Sequence, residues 1–415
     1  MNDEHVNDQQ RWSAPAGQSL APLDRRQFLT GSSAALLGGT LTACSVETLG
    51  VKRPAPAAAA LELARLDASP DRITRITVCT RPFRAQGPRL EVEQVLGKTV
   101  VHNYGHGGSG WSLSWGSSSI AVQKAMATGA PAVAVLGCGA LGLTSALLLQ
   151  RAGARVTIYA KDLPPNVRSS LATGLWTPDS RICLEPYATP AFKQTWEAMA
   201  RRSFEAYQNL LGLPGEPVEF IDDYTVSDRL PIELRAPPAA DTRPRFADLQ
   251  RERIPDLIPN TRDYAPGSHP LGARYVRRST LMMFNLSVYA RLLISDFVSS
   301  GGRIEIREFH TPADLAGLGE QTVINATGYG ARALFGDQSL TPVRGQLART
   351  IPQPGIHYGL NYRGVAFVPR RDGFVFQVLG DDDYYGFGEP TTIPDRSEAE
   401  RAVTTIAGLF GTPAG

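Results

Sequence analysis

The chain has 415 residues, 42 of them basic and 40 acidic, with 42% hydrophobic residues. That length supports two or three domains and a large core, and a net charge of +2 without a basic run gives nucleic acid no electrostatic footprint. Four cysteines are too few for a disulfide scaffold, and neither they nor the six histidines fall at metal-ligand spacing.

Residues 24–30 read Asp24-Arg25-Arg26-Gln27-Phe28-Leu29-Thr30. A twin arginine before Phe-Leu is the pattern of a Tat export signal. The apolar stretch that follows, from Gly31 to Thr42, is short of the ~20 residues of a permanent transmembrane helix. It runs into Leu41-Thr42-Ala43-Cys44, a lipobox-like end whose cysteine would carry the lipid. Residues 1–43 are expected to be a removable signal, and residues 44–71, with Pro54-Ala55-Pro56 and an alanine run at 57–60, a tether. The protein is then expected in the periplasm or on the outer face of the membrane, anchored through Cys44. Cys79, Cys138 and Cys183 remain, an odd number that argues against a complete disulfide set.

Pro131–Leu136 is a short apolar run followed by Gly137-Cys138-Gly139-Ala140-Leu141-Gly142. A helix-forming stretch, Leu143–Arg151, and a second apolar strand, Ala154–Ala160, come next. Strand, G-x-G-x-x-G, helix and strand in this order predict a Rossmann-type dinucleotide site. Gly137 and Gly139 let the backbone turn and approach a pyrophosphate, with Ala140 and Leu141 opening the helix. Gly142 lets helix and strand pack closely, and the helix N-terminus faces the phosphates. The second strand ends Tyr159-Ala160-Lys161-Asp162. Either Lys161 or Asp162 could face a ribose; Lys161 would favour a phosphate, which keeps an NADP-type ligand open.

Further motifs stand on either side of this unit. Arg168-Ser169-Ser170-Leu171-Ala172-Thr173-Gly174-Leu175-Trp176-Thr177-Pro178 follows the second strand. Val323-Ile324-Asn325-Ala326-Thr327-Gly328-Tyr329-Gly330 and Pro342-Val343-Arg344-Gly345-Gln346 come later. Near the start stand Thr80-Arg81-Pro82-Phe83-Arg84-Ala85-Gln86 and Arg89-Leu90-Glu91, then Val101-His102-Asn103-Tyr104-Gly105-His106-Gly107-Gly108-Ser109-Gly110-Trp111-Ser112 and Trp115-Gly116. Together these resemble the D-amino-acid oxidase family of FAD enzymes. In that family the last two segments lie near the C-terminus; here they precede the Rossmann strand. A circular permutation is therefore expected, with residues 72–130 as the displaced segment and Thr128-Gly129-Ala130 as the join.

The resemblance implies an α/β fold: a Rossmann-like FAD-binding domain (131–190 and 285–340) and an α+β, mixed-sheet substrate domain (191–284 and 341–415), completed by the permuted segment. Gly373–Leu379 is a candidate strand of that sheet and Ser397–Phe410 a helix. It also implies FAD bound by the glycine motif, by Lys161 or Asp162, by Arg168, Ser169, Ser170, Ala172, Thr173, Gly174 and Leu175, and by backbone N–H groups of the loop with Gly107, Ser109, Gly110, Trp111 and Ser112. The implied chemistry is hydride transfer from the substrate Cα to flavin N5.

Three residues are candidates for substrate binding. Arg81 would fork onto the substrate carboxylate through two charge-assisted hydrogen bonds, unless it pairs with a structural acid. Gly108 would offer its carbonyl to the amine. Tyr362 matches the first of two family tyrosines, while the second falls on Ala366, a departure for which Arg363 or Tyr358 could compensate. Arg84 and Arg89 read as structural, and Asp381-Asp382-Asp383 as a solvated turn. The partners implied are an amino acid or other amine and oxygen, with a membrane quinone or a non-catalytic FAD-binding role as rivals.

Overall fold

A computed structural model describes residues 61–229, 242–258 and 261–411. The twin arginine, the lipobox and Cys44 lie outside the described residues. Among those described, no helix is long and apolar enough to cross a membrane.

Two sheets organise the fold. The six-stranded sheet runs β2 (Val92–Val95), β3 (Lys98–His102), β10 (Thr322–Asn325), β4 (Ala132–Leu136), β5 (Arg155–Ala160), β9 (Arg303–Ile306). Its strands are parallel except the edge strand β2. Parallel strands covered on both faces read as continuous apolar runs, and in β4 Val133 through Leu136 are all buried. The expected strand–helix–strand unit is present: the helix Ala140–Arg151 joins β4 to β5.

The eight-stranded sheet runs β1 (Ile73–Arg84), β11 (Leu340–Thr350), β14 (Phe374–Val378), β13 (Val365–Val368), β12 (Tyr358–Tyr362), β6 (Val218–Ser227), β8 (Tyr275–Phe284), β7 (Arg262–Tyr264). It is mixed, because β12 and β6 are parallel while its other pairs are antiparallel. The helix Arg396–Ala407, capped by Asp395, covers part of one face through Ala399, Ala402, Val403 and Ile406.

Residues 72–130 contribute to both sheets. β1 pairs with β11 along nearly its whole length, with Arg81 opposite Val343. β3 lies beside β10, which lies beside β4. The helix Ser114–Met126 then packs so closely on the helix Pro190–Gln208 that a Cβ on Gly116 would sit 2.1 Å from the Met199 carbonyl oxygen. Trp196, Tyr207 and Tyr289 are fully enclosed in this layer; large apolar side chains contribute about 1.5–3 kcal/mol each on burial.

Candidate active site

A continuous cleft of about 1400 Å3 collects residues from both sheets. Ligand pockets commonly hold ~300–1000 Å3, so this one has room for a dinucleotide and a small second molecule.

The glycine motif lines its centre. Gly137 has φ +101°, and a Cβ there would lie 2.7 Å from the Ala326 carbonyl oxygen. On Gly139 a Cβ would meet Ser169 Oγ at 2.8 Å. The helix that begins at Ala140 has no acid in its first turn and no side-chain cap from Gly139, although Ser169 Oγ accepts from the Ala140 N–H at 3.1 Å. Gly137, Gly139, Ala140 and Leu141 therefore present open backbone and a positive helix end to the cleft. Gly142 does not line it. A Cβ there would sit 2.0 Å from the Gly137 carbonyl oxygen, so this glycine serves helix–strand packing.

At one end lie Lys161 and Asp162 beside Arg307 and Phe309. Lys161 Nζ is 3.1 Å from Glu308, which leaves Asp162 as the better group for a ribose hydroxyl.

Arg168, Ser169, Ala172, Thr173, Gly174 and Leu175 all line the wall. Ala172 accepts from Arg370 Nη1 at 2.7 Å, Thr173 donates to Gln377 Oε1, and Gly174, with φ +95°, accepts from the Phe284 N–H at 2.7 Å. Arg370 is fully buried and paired with Asp372, which holds this stretch against the eight-stranded sheet. Ser170 is outside the cleft lining.

The opposite wall is the turn containing Gly107, Gly108, Gly110 and Trp111, all of which line the cleft. Trp111 Nε1 donates to the Ser169 carbonyl at 2.8 Å, tying the two walls together. Ser109 and Ser112, expected to offer backbone N–H groups to the cofactor, do not line the cleft, and the Ser109 N–H donates to the His106 carbonyl at 2.9 Å. Ser109 Oγ donates to the Ser180 carbonyl, and Ser112 Oγ accepts from the Thr177 N–H. His106 also lines the cleft, and burial pushes its imidazole down to about 3, so it is neutral at physiological pH. Ser117 donates to Asn103 Oδ1, so His106 Nε2 donates to Ser117 Oγ.

The substrate end rests on the eight-stranded sheet. Arg81 lines it, half-buried, and donates to the Arg344 carbonyl at 3.3 Å. Among the described residues it has no acidic partner. Gly345 makes room for it, since a Cβ there would meet the guanidinium at 2.6 Å. Asn361, Ala366 and Gln377 form a row across β12, β13 and β14 and all line the cleft.

Tyr362 is a correction. Strand alternation turns it to the other face, where its hydroxyl bonds Asp228 at 3.0 Å. Arg363 pairs with the same Asp228, and Tyr358 donates to the Ala64 carbonyl, so neither compensates for Ala366. Period-two alternation allowed either Asn361 or Tyr362 to face inward, and the resemblance selected the wrong one. Arg181, buried and lining the cleft, had no recognisable signal in the sequence.

A model of the FAD dependent oxidoreductase family, DAO, matches residues 132–413. The chain belongs to this family. The D-amino-acid oxidase of Streptomyces coelicolor is 31% identical over 284 residues, covering 67% of this chain and 77% of that one. The D-amino-acid oxidase of Rubrobacter xylanophilus is 27% identical over 279 residues, covering 66% and 76%. A solved glycine oxidase from Geobacillus kaustophilus aligns over 67% of this chain and 77% of its own at 16% identity, with a TM-score of 0.47.

As a member of the DAO family, the protein is an FAD-dependent oxidoreductase acting on amino acids. Its cleft fits FAD: a glycine cradle that any Cβ would fill, an open helix end at its centre and an acid at one extremity.

Proposed function

We propose that the protein oxidises D-amino acids to imino acids, which water hydrolyses to 2-oxo acids and ammonia, with oxygen reduced to hydrogen peroxide. The observation that carries this reading is Arg81, a cleft arginine without an acidic partner among the described residues. An α-carboxylate supplies the missing charge through two parallel hydrogen bonds. Bound FAD supplies the two-electron acceptor. The chain's own residues position the substrate.

Gly108 lines the cleft, where a Cβ would lie 2.4 Å from Ser180 Oγ; its carbonyl is assigned to the substrate amine. Asn361 Nδ2 is held by Asp223 at 2.9 Å, which leaves its Oδ1 as a second acceptor. The neutral His106 adds no charge that would compete for the carboxylate. Catalysis on this account is mostly positioning. The purified yellow protein tests it: D-amino acids should bleach the flavin without oxygen and air should restore it. Slow return in air but rapid return with a quinone would move the reading to a membrane dehydrogenase. Ala366 widens the sheet side of the site, which favours screening secondary amines as well.

The circular permutation belongs to the same proposal. The family model leaves out residues 72–130, yet their strands lie next to β11 and β10. Tat export and lipid attachment through Cys44 are proposed from the signal pattern alone. Palmitate labelling of the intact chain and of Cys44→Ala tests them.

A further inference from the structure

The geometry points to a substrate with two carboxylates, an acidic D-amino acid of the aspartate or glutamate type, with Arg181 as the residue that selects it. This rests on the reading of the cleft as an amino-acid oxidase site.

Three backbone segments are stacked at the substrate end. The Gly107 N–H donates to the Pro82 carbonyl at 2.9 Å, and the Gly108 N–H donates to the Ser180 carbonyl at 2.9 Å. A Cβ on Gly107 would meet the Arg181 carbonyl oxygen at 2.0 Å. The backbone segments that carry Arg81 and Arg181 thus both pack on one glycine turn, and both arginines line the cleft. Arg181 adopts φ +50°, a left-handed conformation that is costly for a residue with a long side chain and that collects at functional positions.

The charge balance is the second observation. Arg181 is 8% exposed; its Nε donates to the Asp383 carbonyl at 2.5 Å, while the Asp383 carboxylate lies 3.7 Å from Nη2, beyond a tight pair. Burial first and then Arg81 draw its guanidinium down to about 10. At the substrate end Arg81 has no acidic partner among the described residues, and Arg181 faces only the exposed turn Asp381-Asp382-Asp383, which also lines the cleft. Buried charges need partners, and a monocarboxylic amino acid supplies one carboxylate where two guanidiniums are present.

The acidic turn at the mouth does not reverse this. Asp382 is engaged by Arg243 at 2.5 Å, Asp382 and Asp383 are 48% and 68% exposed, and Asp381 is exposed as well, so water screens all three. Arg181 is enclosed, and its charge acts at closer to full strength.

The test compares kcat/KM for D-aspartate and D-glutamate with that for D-alanine in holoenzyme, and in Arg181→Leu and Arg181→Lys. The acidic-to-neutral ratio should favour the acidic substrates in the native protein. In Arg181→Leu it should fall by at least ~30-fold, the scale for removing one partner of a desolvated charge pair, with partial recovery in Arg181→Lys. Because a ratio is read within each variant, loss of folded protein cancels. D-alanine or D-arginine preferred over the acidic pair, or a ratio unmoved in Arg181→Leu, overturns the inference and leaves the oxidase reading standing. If no amino acid bleaches the flavin, yet succinate perturbs its spectrum in the native protein and not in Arg181→Leu, the oxidase reading fails and the dicarboxylate site stands. Failure of succinate as well in that case overturns the inference too.

Discussion

The Arg65 guanidinium donates to the Phe410 carbonyl at 2.6 Å and to the Gly411 carbonyl at 2.8 Å, across separations of 345 and 346 residues. The segment leading into β1 and the segment leaving the helix Arg396–Ala407 are thus in contact. Arg396 adds a bond to the Pro70 carbonyl at 3.3 Å. A rearranged chain, beginning at residue 131 and joining 411 to 72 through a short Gly/Ser linker, should fold to a yellow protein with unchanged substrate preference. An insoluble or colourless product would contradict the permutation.

Arg81→Leu should lower kcat/KM by ~100- to 1000-fold, as expected for loss of a desolvated carboxylate partner. FAD content should stay near that of the native protein, because among the described residues Arg81 bonds only the Arg344 carbonyl on β11. Steady-state kinetics with the flavin-to-protein absorbance ratio checks both halves.

Tyr362→Phe separates the resemblance from the geometry. The hydroxyl bonds Asp228 on the face away from the cleft, so its loss should cost about 1 kcal/mol of stability and leave kcat/KM within about twofold. A large fall in turnover without loss of stability would put Tyr362 back in the site.

Asp223 gives a pH signature. Burial raises its carboxyl from 3.8 to about 6. The folded state then holds the proton over a range in which the unfolded state has lost it, so this group's contribution to stability falls as pH rises from about 4 to about 6 and is constant above, a drop of about 3 kcal/mol. Asp223→Asn still accepts from Asn361 and removes the titration. It should match the native protein near about pH 4 and exceed it by up to about 3 kcal/mol at about pH 8, read from urea midpoints.

Gly142→Ala tests the division within the glycine motif. A Cβ 2.0 Å from the Gly137 carbonyl oxygen must push the turn out of place. The variant should lose FAD affinity by at least ~10-fold, with overpacking costing about 1–3 kcal/mol, although Gly142 lines no part of the cleft. Fluorescence quenching on adding FAD to apoprotein measures it.

The cofactor half of the site was legible in the sequence because local rules determine it. A G-x-G-x-x-G between an apolar strand and a helix specifies its own turn, and Gly137, Gly139 and Gly142 stand where those rules put them. The substrate half is assembled across strands distant in sequence. Asn361, Ala366 and Gln377 become one row only through the register of β12, β13 and β14. Tyr362 was misplaced by one position because a strand's two faces differ by a single residue. Arg181 sits in a loop of left-handed backbone, a conformation that no spacing rule announces for arginine. A glycine-rich turn also hides which of its backbone N–H groups stay open: the Ser109 N–H is taken by the His106 carbonyl, and neither Ser109 nor Ser112 lines the cleft.

The most direct test of the central claim is an anaerobic titration of the purified holoprotein with the D- and L-enantiomers of alanine, aspartate and glutamate, followed by visible absorbance. The account predicts a flavin spectrum bleached by the D-enantiomers alone, restored in air with hydrogen peroxide released. A flavin that no D-amino acid reduces, or that only L-enantiomers reduce, would contradict it.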